Sequence, residues 1–180
     1  TNYYEDGPSH ALELMLWLDA DRMGCLLPEM TPEKVELQRG VVKNERRQSY
    51  ENQPYGLAGE TIVSRLYPQG HPYSWPTIGS MADLTAATID DVKDFFRRYY
   101  TPNNSVLAIV GDVEAADAVA EAQTVFGDWP RQGVQPPSLP EPPKPTRRVI
   151  VIDKPDSVQT AIRIGQLGVP RKTPDYMDLD

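Results

Sequence analysis

At 180 residues and 20.2 kDa the chain is one large domain or two small ones, long enough to bury a core without disulfide staples. Charged residues at 24% and hydrophobic residues at 39% exclude the disordered and fibrous classes, and a net charge of -8 argues against the basic footprint of a nucleic-acid binder. No apolar run approaches the roughly 20 residues of a membrane span, and the lone Cys25 excludes an internal disulfide and a cysteine-based zinc ribbon.

The chain opens on Thr1-Asn2-Tyr3-Tyr4-Glu5, whose alternating aromatic pattern predicts a strand already under way, so the start is expected to be a cut end. Ser9 is the expected N-cap of a helix over about His10 to Met23, stopped by Gly24. Thr31-Pro32 opens a second helix running to about Asn52, before Pro54. A third covers about Gly56 to Tyr67, and the Pro- and Gly-rich stretch from Pro68 to Gly79 is a loop. A short turn at Ser80 to Leu84 precedes Thr88-Ile89-Asp90-Asp91, a capping-box start for a helix through Arg98. The apolar run Val106 to Val110 reads as a strand buried on both faces, with Asn103 and Asn104 shaping the turn into it. Asp112 is the expected cap of a helix over about Glu114 to Phe126. Gln132 to Thr146 holds six prolines, a stiff linker, beyond which Arg148 to Ile152 and Gln159 to Ile164 read as two further strands. A domain boundary belongs inside that linker. From Pro174 a new helix begins.

Motifs that carry chemistry are mostly absent from the sequence. The only histidines, His10 and His71, lie too far apart in sequence to share a helical turn, and Gly-rich phosphate loops and the nucleophile elbow are absent. Cys25 follows the expected helix end, where the dipole disfavours a thiolate, so it reads as a packing residue. His71, in a Pro-rich loop, reads as structural. The second helix is unusual. Gln38, Val41, Val42 and Glu45 fall at i, i+3, i+4 and i+7 on one face, and the valines mark that face as inward. An inward carboxylate must be paired, hydrogen-bonded or bound to a metal. The spacing leaves two readings open: Glu45 sits at the edge of the stripe and pairs with a nearby Arg, or it holds a metal. Lys43, Arg46 and Arg47 read as a solvated basic face.

The run Gln38-Arg39-Gly40-Val41-Val42-Lys43-Asn44-Glu45-Arg46-Arg47, with His71-Pro72-Tyr73 and Ile78-Gly79, resembles the pitrilysin/insulinase (M16) zinc metallopeptidases, bacterial type. So does Tyr99-Tyr100-Thr101-Pro102-Asn103-Asn104-Ser105 followed by Val110-Gly111-Asp112. Asp153-Lys154-Pro155 with Gln159, and Arg171 to Tyr176, are similar to the opening of that family's next homologous domain. The resemblance covers essentially the whole chain. It implies zinc held by two His of an inverted H-x-x-E-H motif and by a distal Glu, with the motif Glu activating water. Glu45 matches the distal ligand, and the motif with its general base is expected upstream of Thr1, which leaves no catalytic residue within the chain. The family often carries a second Glu two helical turns before the ligand; Gln38 stands there instead.

The fold implied is α+β, helices packed on one side of a mixed or antiparallel sheet, plus the first strands of a second similar domain. Residues 1–79 would be the later part of the N-terminal peptidase region, and 84–180 the start of the C-terminal one, with the linker at 132–146. The function implied is a fragment of a zinc-dependent metalloendopeptidase acting on peptides or unfolded polypeptides, inactive by itself, needing Zn2+ in the intact protein. Its expected partners are peptide substrates and a homologous second half or partner subunit forming a clamshell, without nucleic acid or a membrane span. Bacterial relatives point to a periplasmic or secreted location. The competing reading is a non-catalytic M16 paralogue serving as partner subunit or peptide-binding half, and, leaving the resemblance aside, an acidic α/β binding module.

Overall fold

Two helices begin at the cap signals the sequence carries, Thr31 and Thr88. The computed structural model describes residues 1–135, 138–141, 144, 146–155 and 157–179, and these contain seven α-helices: α1 Leu12–Glu29, α2 Pro32–Arg46, α3 Leu57–Leu66, α4 Met81–Ala86, α5 Ile89–Tyr99, α6 Ala115–Phe126 and α7 Tyr176–Leu179. Thr31 caps α2, its hydroxyl accepting the Lys34 N–H at 3.3 Å. The Thr88 box on α5 is complete: Thr88 Oγ1 accepts the Asp91 N–H, and the Asp91 carboxylate accepts the Thr88 N–H at 2.7 Å. Two expectations shift. α1 begins two residues later than expected and runs through Gly24 and Pro28 to Glu29, so Gly24 is not a stop. Asp112 is not a cap either, because α6 starts from Glu114 with no side-chain bond to its first turn.

The expected α+β fold is overturned. Among the described residues there is no strand and no sheet: the structure is helical with extended connections. Thr1 to Glu5, Val106 to Val110, Arg148 to Ile152 and Gln159 to Ile164 lie outside any helix and pair with nothing as strands. Val106 and Val110, expected to be buried on both faces, are each 96% exposed. Apolar and β-branched runs make a segment ready for a ladder, but the ladder is a non-local set of hydrogen bonds that needs a second backbone. Of the linker, Pro136, Pro137, Pro142, Pro143 and Pro145 lie outside the described residues.

The chain forms two units, Thr1–Leu37 with Ala87–Pro136, and Gln38–Ala86 with Pro137–Asp180, the first division falling inside α2. In the first unit α1 packs on α6, and the buried residues are Leu16 of α1, Phe96 of α5, Ala118 of α6 and Thr101. Phe96 stacks on Tyr100 with centroids 4.2 Å apart, and the Tyr100 and Tyr3 hydroxyls are hydrogen-bonded at 2.7 Å. Burial and that bond push the Tyr3 phenol up to about 12. Neither asparagine of the Pro102-Asn103-Asn104 turn is left-handed. Their side chains clasp backbone instead: Asn103 Nδ2 donates to the Gln132 carbonyl at 2.7 Å and Asn104 Nδ2 to the Tyr99 carbonyl at 2.9 Å.

In the second unit α2 passes directly into a π-helical turn, Arg47–Glu51, and α3 follows. Gly56 permits that sequence of elements, since a Cβ there would lie 2.1 Å from the Tyr50 carbonyl oxygen. His71 is buried against Tyr67, ring centroids 4.6 Å apart, and its Nδ1 accepts the Tyr73 N–H at 3.0 Å, capping the short turn Pro72–Ser74. That is the structural role expected for it. Gly165 meets Ile62 of α3 so closely that a Cβ would come within 2.4 Å of Ile62 Cγ2.

Candidate functional site

The end of α2 is where sequence and structure both concentrate unusual residues. Five positions of this helix are buried or half-buried, Val35, Arg39, Val42, Lys43 and Arg46, and all but Lys43 form one stripe, spaced four, three and four apart. The expected inward set is rotated away from this. Gln38, Val41 and Glu45 are exposed, Val41 by 51%, and only Val42 of that set is half-buried. Arg46, read from sequence as part of a solvated basic face, is the residue that goes inside, 6% exposed.

Its guanidinium is held on several sides. Nη2 donates to both carboxylate oxygens of Glu60 on α3, at 3.0 and 2.9 Å, and Nη1 donates to the Gly79 carbonyl at 2.8 Å. The Tyr50 ring lies 5.4 Å beneath. Nε is buried and without a hydrogen-bond acceptor among the described residues. Glu51 approaches it to 3.7 Å, close enough to attract and too far to accept the proton. Leaving a buried donor unmade costs about 1–3 kcal/mol, so this arrangement is not the one a chain selected for stability alone would keep. Beside it a cavity of about 310 Å3 is lined by Arg46, Leu57, Glu60, Thr61, Ser64, Ser74 and Trp75. Arg39, two helical turns earlier, donates to the Leu84 carbonyl and, at 3.2 Å, to that of Thr85.

Glu45 points the other way. Among the described residues no hydrogen bond or ion pair occupies its carboxylate, so the pairing with a neighbouring Arg does not form. Both oxygens are open to a cation, and a carboxylate is chemically suited to zinc. The donor set stops there, because no three His, Cys, Asp or Glu converge among the described residues. The residues present thus fit zinc as one oxygen ligand and do not make a site by themselves. Gln38, two turns before Glu45, is also exposed. Cys25 is exposed rather than packed, and its hydrogen bond to Asp21 raises the thiol pKa, which makes it a poor nucleophile. Sequence reasoning missed the Arg46–Glu60 pair; its available signal was the i+4 and i+7 spacing of Arg46 from Val42 and Arg39.

Comparison with known proteins gives a consistent result. A family profile described as the Peptidase M16 inactive domain matches residues 86–180. Zinc protease PqqE of Helicobacter pylori is 29% identical over 157 residues, 86% of this chain and 35% of that protein. An uncharacterised zinc protease of Mycobacterium leprae is 32% identical over 170 residues, 92% of this chain and 37% of the relative. A crystal structure of a protease from Helicobacter pylori superposes with a TM-score of 0.64 at 30% identity, covering 74% of this chain and 31% of that one. The chain therefore spans about a third of the length of the relatives it matches. Among the described residues no helix is long and apolar enough to cross a membrane.

Proposed function

Because the chain belongs to the M16 peptidase family, we propose that it is a portion of a zinc-dependent metalloendopeptidase hydrolysing peptides or unfolded polypeptides, in which Glu45 is a zinc ligand. The observation that carries this reading is the unpaired, exposed Glu45 carboxylate at the end of α2, in a chain whose relatives are named zinc proteases. Zinc, when bound, supplies the Lewis acid that makes water a nucleophile at neutral pH. What this chain contributes is a charged oxygen donor on a helix, and the remaining donors and the general base come from outside residues 1–180. By itself the chain is inactive. The region boundary lies between residues 79 and 84, supported by a profile match that begins at residue 86. The partner of this portion is a homologous second half or partner subunit.

The test is Glu45→Gln in the intact protein. The substitution keeps size and removes the charge that neutralises the cation. Zinc content and peptidase turnover are expected to collapse together, by more than the 10–100-fold that supporting residues command, while helical content is unchanged. Stoichiometric zinc and near-normal turnover in a well-folded Glu45→Gln protein would refute the assignment. The second reading, a non-catalytic paralogue acting as a partner subunit, draws on the description of the 86–180 match as an inactive domain. It predicts neither zinc nor turnover in the unmutated intact protein.

A further inference from the structure

We propose that Arg46 is a positioning residue for the Glu45 carboxylate, its clamp on Glu60 and Gly79 fixing the level and rotation of the last turn of α2. This rests on Glu45 being a zinc ligand. Among the described residues Arg46 is the only Lys, Arg, Asp or Glu that is buried. At Arg46 the winding changes from α to π, and the helix continues past it with its rotation reset. Here the last residue of α2 is tied to α3 by a two-pronged ion pair and to the Gly79 loop by a third bond. Successive helical residues project about 100° apart, so pinning Arg46 inward directs its neighbour Glu45 outward onto one adjacent face.

The elements that follow support the same turn. The π-helical turn Arg47–Glu51 begins at the next residue, and such turns are concentrated at functional sites. Its Tyr50 carries the ring under the guanidinium, and the Tyr50 carbonyl packs where only Gly56 can approach. With Nε unmet and one charge of the pair buried, replacing both partners by apolar residues is expected to serve stability at least as well. A buried arginine of this kind is suited to fixing direction, since its planar guanidinium holds the Glu60 carboxylate through Nη2 and the Gly79 carbonyl through Nη1 at a set angle to each other. Direction is what a single carboxylate needs when the cation's other donors are supplied elsewhere.

The experiment compares zinc affinity, by competition with a chelator, and melting temperature of the zinc-free form in the intact protein. Arg46→Lys keeps the charge and loses the two fixed donors that span Glu60 and Gly79. The pair Arg46→Met with Glu60→Leu replaces the ion pair by apolar packing and restores the melting temperature. Both are expected to bind zinc 10–100-fold more weakly than the unmutated protein. A purely structural Arg46 gives the opposite pattern, with affinity returning as the melting temperature returns. Wild-type zinc affinity in either folded variant overturns the proposal, and so does failure of both variants to fold, since Arg46 would then be a stability residue. Glu45→Gln run alongside separates the two levels. If it also leaves zinc unchanged, the zinc-ligand reading fails; if it alone loses zinc, only the positioning role fails.

Discussion

Replacing Thr101 by Val tests whether the turn after α5 is held by hydrogen bonds or by packing. Thr101 is 0% exposed and directly precedes Pro102, whose ring holds it in extended geometry. Its Oγ1 donates to Asn103 Oδ1 at 2.6 Å and accepts the Gln132 N–H at 3.1 Å. Valine has the same shape and neither bond. The Gln132 N–H would retain only its longer contact to Asn103 Oδ1, at 3.3 Å. At about 1 kcal/mol per net bond the loss is about 2 kcal/mol. Thr101→Ser keeps both bonds and loses one buried methyl, about 0.8 kcal/mol. Valine should therefore be the worse variant by about 1 kcal/mol, against the expectation from hydrophobicity alone. Urea unfolding followed by Trp17 and Trp129 fluorescence, in a Trp75→Phe background, reads this unit. Amide exchange at Gln132 should quicken about 5–30-fold in the Val variant. A Val variant at least as stable as the Ser variant, with Gln132 protection unchanged, would show the side-chain bonds to be incidental.

Two pH predictions follow from the same unit. The Tyr3 phenol should ionise at about 12 by phenolate absorbance, and Tyr100→Phe should lower it toward 10 by removing the hydroxyl partner; Tyr3 stabilises the fold below pH 10, and that contribution is lost as pH rises through 12. The Asp91 carboxyl is held below the usual aspartate range, first by the Thr88 hydroxyl and then by its N–H. Its contribution to α5 is complete above pH 4 and lost as pH falls through the lowered value, so Asp91→Asn should flatten the acid limb of helical circular dichroism; an unchanged limb would show the box to be decorative.

Helices were legible in this sequence because their signals are local. Thr31-Pro32 and Thr88 with Asp91 specify N-termini using residues within four positions, and those helices start where the pattern places them. Gly24 misled for the same reason, since a glycine ends a helix only if the next residues leave it, and Cys25-Leu26-Leu27 continue α1. Strands were overstated because a strand is defined by its neighbour. Val106 to Val110 has the composition of a doubly buried strand and is 96% exposed at both ends of that run. Asn103 shows the remaining gap: its place in the turn was readable, but its grip on the Gln132 backbone spans 29 residues and leaves no local trace.

The orientation of Glu45 was not legible in the sequence. Glu45 came from a resemblance in motif, whereas the claim that its face was inward came from Val41 and Val42, and these point in different directions. Two adjacent valines on a helix are about 100° apart, so at most one can lie at the centre of a buried stripe. Hydropathy assigns neither, and a buried arginine is invisible to it because the pattern scores Arg46 as surface. Only the partner decides. Glu60 lies 14 residues away on α3 and supplies the charge that brings Arg46 inside, which carries Val42 in with it and turns Val41 and Glu45 outward. An outward Glu45 is compatible with the role proposed for it, because a ligand whose fellow donors are proposed to lie outside residues 1–180 has to be reachable from the surface.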